Sequence, residues 1–244
     1  MVAKKPPRKR GNRIAEKVHK IQGTGLRRPL FNDRRALPPP LSPDTKTTLP
    51  PPLSPDTKTI FLDLDETLIY SRKVPSPAGY DFVVKAPLRG RLGDVDVLVS
   101  KRPLVDEFLE SLSKKKYEIV VFTAAPKAYA SPILDKLDRK GLISHRLYRD
   151  SCRKVDGEEL VKDLSGLGRD MKRVVIVDDN PTRYSLQPEN AIPISSFSND
   201  VDDWELKRLI EFFDACDGVE DMRVAVKDFL SKQDLSTLDI ISTL

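Results

Sequence analysis

The pattern of hydrophobic and polar positions changes at residue 60. From there, short apolar runs alternate with segments in which apolar residues recur every three or four positions. The runs predict buried strands at 60–64, 119–123 and 174–178, with a short fourth strand at 192–194. Strands that are apolar throughout and alternate with helices are typical of a parallel sheet covered on both faces. The pattern therefore predicts an α/β fold built on a doubly wound parallel sheet.

Helical spacing and one insert complete this part of the chain. Pro103 opens a predicted helix whose apolar residues share one face from Val105 to Leu112. Further helices are predicted over 127–138, 203–216 and 221–230. Alternating residues at 80–86 and 95–99 flank a glycine-containing turn, which predicts a small β-hairpin insert.

The first 59 residues lack this pattern and carry most of the charge. The 244-residue chain has a formal charge of +5, of which residues 1–36 contribute +10, residues 37–59 zero and residues 60–244 the remaining −5. The basic tail at 1–36 has no sustained apolar period, so we expect it to be disordered. Because the body is mildly acidic, we expect no direct binding of nucleic acid by it.

The basic cluster at 4–10 is similar to a nuclear-localisation signal, which predicts a nuclear location. A solvated basic arm without a targeting role is the alternative. The cytoplasm or an organelle also stays open, because acidic residues are scarce in this tail.

An identical eleven-residue unit occurs twice, at 37–47 and 49–59. Three consecutive prolines in each copy favour an extended polyproline II conformation. The unit could be a docking ligand, or it could carry phosphorylation sites at its Ser-Pro pairs, but a semi-rigid spacer is the preferred interpretation. Residues 37–59 are accordingly predicted to be a linker.

Composition excludes several classes of protein. No apolar run approaches the roughly 20 residues of a membrane-spanning helix, so no membrane partner is expected. Cys152 and Cys216 are too few for a disulfide framework and indicate a reducing compartment. Neither has an arginine six positions later, as a cysteine phosphatase requires, since Glu158 and Met222 stand there.

Polar side chains gather where the predicted strands end: Asp63, Asp65 and Thr67 at the end of the first, Thr123 at the end of the second, and Asp178 and Asp179 at the end of the third. In a parallel sheet these ends share one edge, where ligands bind. Four carboxylates there would repel one another unless a divalent cation neutralises them, and Mg²⁺ is the usual choice beside phosphate. Lys162 would add a positive charge. Each of these motifs alone has a structural explanation, but their common position at the ends of the strands indicates a functional site.

These motifs resemble those of the haloacid-dehalogenase (HAD) superfamily of aspartate-nucleophile phosphatases. Within it, the chain is similar to the FCP/SCP-type small phosphatases that act on the RNA polymerase II C-terminal domain. The resemblance lies in Phe61-Leu-Asp-Leu-Asp-Glu-Thr-Leu68, Lys101-Arg-Pro103, Phe122-Thr-Ala124, Arg149-Asp-Ser-Cys152, Val161-Lys-Asp-Leu-Ser165, Leu167-Gly-Arg-Asp170 and Pro188-Glu-Asn-Ala191. It implies a three-layer fold over 60–235, with 236–244 as a C-terminal tail.

The resemblance also implies a reaction. Asp63 would attack phosphorus to form an aspartyl-phosphate, and Asp65 would act as the general acid and base. Asp63, the Asp65 carbonyl and Asp178 or Asp179 would hold Mg²⁺. Thr123, Lys162 and Arg149 would contact the phosphate of the substrate, and Thr67 would support the first loop from behind. The expected partner is a protein or peptide phosphorylated on serine or threonine, with the RNA polymerase II C-terminal domain as one candidate.

The paired acids are a departure from the family. The small phosphatases usually have Asp-Asn where this chain has Asp178-Asp179, which leaves open which of the two binds the metal. Two other functions stay open. The first is a small-molecule phosphatase of the same superfamily. The second is a non-catalytic binding module similar to the presequence-receptor subunit of mitochondrial import. The first usually needs a larger cap. The second usually brings a transmembrane segment and does not need Asp63 and Asp65.

Overall fold

A computed structural model describes residues 48–73, 79–87, 93–155, 157 and 159–242, with side chains as far as residue 232. The predicted disordered tail and the first copy of the repeat lie outside these residues. In the described ranges the strands are β1 (Thr59–Leu62), β2 (Ile69–Arg72), β3 (Phe82–Pro87), β4 (Asp94–Lys101), β5 (Glu118–Phe122), β6 (His145–Leu147), β7 (Arg153–Val155), β8 (Glu159–Val161), β9 (Val174–Asp178) and β10 (Ala191–Pro193). The α-helices are α1 (Val105–Lys114), α2 (Lys127–Leu137), α3 (Glu205–Asp214) and α4 (Met222–Ser242).

Five parallel strands form the central sheet, in the order β10-β9-β1-β5-β6. Strand β1 lies in the middle and pairs with β5 on one side and β9 on the other. Every residue of these three strands is buried, as expected for strands covered on both faces. The predicted α/β fold with a parallel sheet is confirmed. The carboxyl ends of β1, β5 and β9 meet at one edge, which we call the upper edge.

Alternate residues of β1 point into two separate cores. Ile60 and Leu62 belong to a large cluster with apolar residues from all four helices. Phe61 belongs to a smaller cluster on the other face, together with Leu164 and Leu167 from the segment between β8 and β9. Leu49 also packs into this second cluster, so part of the second repeat copy covers the sheet.

The predicted hairpin forms the antiparallel pair β3–β4, and β2 joins it to make a three-stranded insert. Its turn lies outside the described residues. Strand β2 was not predicted because only its first residue is buried, so it gives no apolar run. Strands β6, β7 and β8 were missed because each has three residues, too few for a period.

The four predicted helices are present, and one is longer than expected. Helix α4 continues past the predicted end at residue 230, and past residue 235, to Ser242. No glycine or proline follows residue 218, so no helix-breaking residue ends it earlier. Among the helices described, none has the combination of length and apolarity that crossing a bilayer requires.

A buried ion pair closes the opposite, lower edge of the sheet. Arg169 donates hydrogen bonds to both carboxylate oxygens of Glu118, the first residue of β5, over 2.6 Å. Thr59, the first residue of β1, donates a third bond to Glu118 over 2.6 Å. Burial opposes the negative charge of Glu118, but the bonds from Arg169 and Thr59 outweigh it and lower its pKa.

We predict that Glu118→Gln lowers the free energy of unfolding by about 3–5 kcal/mol, because it leaves the buried Arg169 charge without its partner. Urea denaturation measures this loss. Since the pKa of Glu118 is lowered in the folded state, the stabilisation is present at neutral pH and fades as the pH falls through the acidic range.

The matched control is Asp96→Asn, which breaks an exposed pair with Lys85 and should cost less than about 1 kcal/mol. Equal losses in the two variants would contradict a structural role for the Glu118–Arg169 pair.

Candidate active site

The predicted site residues converge at the upper edge of the sheet. Asp63 lies just beyond β1, where its backbone N–H donates to the carbonyl of Val177 in β9 over 3.0 Å. Thr123 lies just beyond β5, and Asp178 is the last residue of β9. Because these strands are parallel neighbours, residues more than a hundred positions apart in the sequence meet here.

Lys162 connects the ends of the neighbouring strands β1 and β9. Its Nζ donates to Asp63 Oδ1 and to Asp178 Oδ2, each over 2.5 Å. Its side chain is completely buried. Burial opposes the charge on Lys162, but the two carboxylates outweigh it and raise its pKa. The predicted cation is therefore fixed between two of the predicted carboxylates.

Asp178 and Asp179 have different surroundings. Both oxygens of Asp178 accept hydrogen bonds, Oδ2 from Lys162 and Oδ1 from the backbone N–H of Asn180 over 2.9 Å. Among the described residues, side-chain bonding to Asp179 comes from Ser196, whose hydroxyl donates to Oδ2 over 2.6 Å. Asp179 thus has more free coordination capacity than Asp178.

Asp63, Asp178 and Asp179 form a group that could hold a metal ion. One carboxylate oxygen from each residue lies within 4.8 Å of the others. Hard oxygen donors of this kind suit Mg²⁺. Burial, together with the charge of Asp63, raises the pKa of both Asp178 and Asp179. A bound cation would relieve this cost of collecting negative charge.

Asp65 is held by a residue that was not predicted. The hydroxyl of Tyr129 in α2 donates to Asp65 Oδ1 over 2.6 Å and lies 2.6 Å from the Ser71 hydroxyl in β2. Burial raises the pKa of Asp65 to about 7, which the bond from Tyr129 partly opposes. A role for Tyr129 at the upper edge could have been predicted, because α2 starts directly after the strand end that carries Thr123.

Glu66 also belongs to this acidic region. It has a positive φ of 65°, and its carbonyl accepts the backbone N–H of Phe197 over 2.7 Å. Burial, and then the charges of Asp179 and Asp63, raise the pKa of Glu66 to about 7. Neither Glu66 nor Ser196 was singled out from the sequence, and a serine in a loop carries no signal of its contact with Asp179.

Three further predicted residues line the same edge. Thr123 is buried and its hydroxyl accepts the backbone N–H of Ala125 over 3.0 Å. Arg149 donates through Nε to the carbonyl of Ala124 over 2.7 Å, which places it beside the Thr123 loop. Thr67 is buried behind the first loop, and its hydroxyl has no hydrogen-bond partner among the described residues.

A buried arginine supports the loops from below. Arg102, from the Lys-Arg-Pro motif, donates to the Thr67 carbonyl over 3.1 Å and to the Ser195 carbonyl over 2.9 Å. It also forms a two-bond pair with Asp203 over 2.7 and 2.6 Å. The loop that carries Asp65 and the loop that carries Ser196 are therefore held by one side chain.

Residues 58–223 match the family model described as NLI interacting factor-like phosphatase. The chain belongs to this family. Its fold is accordingly HAD-like, and the FCP/SCP resemblance is confirmed.

Several relatives are similar over the same region. The "Probable C-terminal domain small phosphatase" of Dictyostelium discoideum is 47% identical over 171 residues, covering 69% of this chain and 54% of that protein. The human "Carboxy-terminal domain RNA polymerase II polypeptide A small phosphatase 2" is 44% identical over 163 residues, covering 67% and 58%. The chain thus spans somewhat more than half of these two relatives.

A solved structure of the fission yeast RNA polymerase II CTD phosphatase Fcp1 bound to beryllium fluoride is also similar. Its sequence is 19% identical, the alignment covers 76% of this chain and 52% of that one, and the TM-score is 0.49.

We predict that millimolar Mg²⁺ raises the free energy of unfolding, by about 2.7 kcal/mol at one hundred times its dissociation constant. Asp179→Ala should remove this effect, because it deletes one of the three oxygen donors. In EDTA the variant should be no less stable than the unchanged chain, since one buried negative charge is gone.

Urea denaturation with and without Mg²⁺ tests this, with Asp96→Asn as the control that keeps the full Mg²⁺ effect. An undiminished effect in Asp179→Ala would show that the cation binds elsewhere.

Proposed function

We propose that the domain is a magnesium-dependent protein phosphatase that removes phosphate from serine and threonine through an aspartyl-phosphate on Asp63. The observation that carries this proposal is the pair of hydrogen bonds from buried Lys162 to Asp63 and Asp178 at the upper edge. Family membership supports phosphate removal, and the names of the relatives support a protein substrate.

Asp63 is suited to the role of nucleophile. Lys162 donates to its Oδ1, so the orientation of the carboxylate is fixed and its second oxygen can be directed at phosphorus. Attack on phosphorus forms the bond to Asp63 and breaks the bond to the serine or threonine oxygen. Splitting one displacement into two steps in this way is ordinary nucleophilic catalysis.

Asp65 is suited to move the proton. In the first step it would donate a proton to the departing serine or threonine oxygen, and in the second it would take a proton from the water that attacks the phosphorus on Asp63. The Tyr129 hydroxyl fixes Oδ1 of Asp65, which leaves the other oxygen to face the reacting groups. Two carboxylates of the same loop thus have different roles because their partners differ.

The metal site would be formed by Asp63, the backbone carbonyl of Asp65, and Asp179. Asp179 is the better third ligand because both oxygens of Asp178 already accept hydrogen bonds. When bound, Mg²⁺ supplies positive charge that offsets the charge of the phosphate oxygens and the nucleophile. Asp178 then serves to hold Lys162.

The remaining residues would bind the phosphate. Lys162 and the Thr123 loop lie on either side of Asp63, where they can stabilise charge on the transferring group. Arg149 lies beside Ala124, which supports a contact with the phosphate of a bound peptide.

The small size of the described insert supports a protein substrate. The three-stranded sheet of β2, β3 and β4 is the insert in the part of the chain that the structure describes, and it suits a site that accepts a protein segment. The RNA polymerase II C-terminal domain is an expected substrate because relatives are named for it. A nucleus-directed role rests on the basic cluster at 4–10, outside the described residues.

Phosphate release from a panel of phosphoserine, phosphothreonine and phosphotyrosine peptides, and of sugar phosphates, tests the proposal. We expect release from the serine and threonine peptides in Mg²⁺, and loss in EDTA. Asp63→Asn should lower the rate at least about a thousandfold, since covalent catalysis is lost, while Asp96→Asn should not.

Preference for sugar phosphates would favour the small-molecule alternative. No release from any substrate, together with retained peptide binding, would favour the non-catalytic binding module. A rate in Asp63→Asn equal to that of the unchanged chain would refute the assignment of the nucleophile.

We predict that Tyr129→Phe lowers kcat/KM, which reports the step in which the serine oxygen departs, about tenfold for a phosphoserine peptide, the equivalent of one hydrogen bond. The loss should be smaller for p-nitrophenyl phosphate, because p-nitrophenolate leaves without needing a proton from Asp65. Parallel steady-state kinetics on the two substrates measure the difference. Equal losses would contradict a role for Tyr129 in orienting the proton donor.

A further inference from the structure

The second copy of the repeat, residues 49–59, leads directly into β1: Lys58 donates to the Cys216 carbonyl over 2.8 Å, and Thr59 is the first residue of the strand. Before these two residues, the copy is held against the domain at three points. The backbone N–H of Leu49 donates to the Leu167 carbonyl over 3.2 Å, and its side chain is buried in the second core. Arg169 donates to the Pro50 carbonyl over 2.8 Å. Arg173 donates to the Asp56 carboxylate over 2.8 Å. We call Leu167, Arg169 and Arg173 the repeat-binding surface.

Between these points the repeat is exposed. Leu53 is completely exposed, and Ser54 and Pro55 are exposed with it. The repeat-binding surface therefore recognises a leucine, the carbonyl of the next residue and an aspartate seven positions after the leucine. The intervening residues serve as a spacer.

The first copy carries the same three features. Leu37, Pro38 and Asp44 stand twelve positions before Leu49, Pro50 and Asp56, and every residue between them is also identical. The contacts of Leu49, Pro50 and Asp56 can therefore be made by the first copy, whereas those of Lys58 and Thr59 stay with the second copy because these two residues lead into β1.

Chain length sets the balance between the two copies. The last bound residue of the second copy, Asp56, is three residues from Thr59, the start of β1, whereas the matching Asp44 of the first copy is fifteen residues from it. Loop-closure entropy grows slowly with length, so the longer connection is disfavoured about tenfold. Two arrangements that share these three contacts and differ by this entropy would both be populated.

We propose that the first copy, residues 37–47, exchanges with the second copy on the repeat-binding surface of the same chain. When the first copy binds, residues 45–57 form a loop that leads to Lys58 and β1, which stay in place. The second copy occupies the surface in about nine tenths of the molecules and the first in the remainder. The duplicated segment is thus a two-position tether on the lower edge, not a passive spacer.

Arg169 connects this exchange to the fold. It holds the Pro50 carbonyl with the same guanidinium that pairs with Glu118, so the surface is rigid and formed whichever copy binds. The chemistry at the upper edge does not take part, and the proposal is independent of the proposed function.

Full-length variants with leucine replaced by serine test the exchange. If the first copy can replace the second, Leu49→Ser lowers the folding equilibrium constant only about tenfold, because the first copy takes over. Leu37→Ser alone should change it by less than about twofold. The double variant should lose about a hundredfold or more, as expected when a buried leucine is removed without a substitute. Urea denaturation measures all three.

Leu53→Ser is the matched control, because it makes the same chemical change at an exposed position of the same copy, and it should have no effect. If Leu37→Ser causes no further loss in the Leu49→Ser background, the first copy does not bind and the proposal is wrong. If Leu49→Ser becomes dimeric, with stability that rises with protein concentration, the copy comes from a second chain and exchange within one chain is refuted.

Discussion

The structure depends on one buried ammonium group between two carboxylates. An isolated lysine in this position would lose its proton, and isolated carboxylates would gain one, because burial disfavours every charged form. Lys162 keeps its charge because Asp63 and Asp178 each accept a hydrogen bond from it over 2.5 Å. The three groups are stable only together, so the three segments that carry them must meet with little freedom.

The parallel sheet satisfies this requirement. Strands β1, β5 and β9 are buried throughout and hold one another in register, which fixes where each chain emerges at the upper edge. The lower edge is closed by a second buried pair, Glu118 with Arg169. The two edges have different roles. The lower pair stabilises the first residues of the strands and the repeat. The upper group leaves carboxylate oxygens available for a cation and a phosphate.

Much of this arrangement is predictable because it depends on local pattern. Apolar runs mark the buried strands, and Asp63, Thr123 and Asp178 lie at their carboxyl ends. The meeting of these residues at one edge of the sheet is therefore a consequence of topology. Lys162 is different: no period marks β8, and its place in the site follows from the resemblance to a family. Tyr129 and Ser196 act through single hydrogen bonds across the fold, and no spacing in the sequence indicates such contacts. Leu49 was assigned to a linker because proline dominates its surroundings, yet one leucine is enough to bury that segment.

The central claim is that Asp63 itself becomes phosphorylated, and trapping that species is the direct measurement. A phosphoserine peptide labelled on phosphorus is mixed with the protein in Mg²⁺, the reaction is stopped in acid within one turnover, and the digested protein is mapped. We predict label on the peptide that contains Asp63, released by hydroxylamine as an acyl phosphate should be. Turnover with no label on the protein, or label on Cys152 or another residue, would contradict the account.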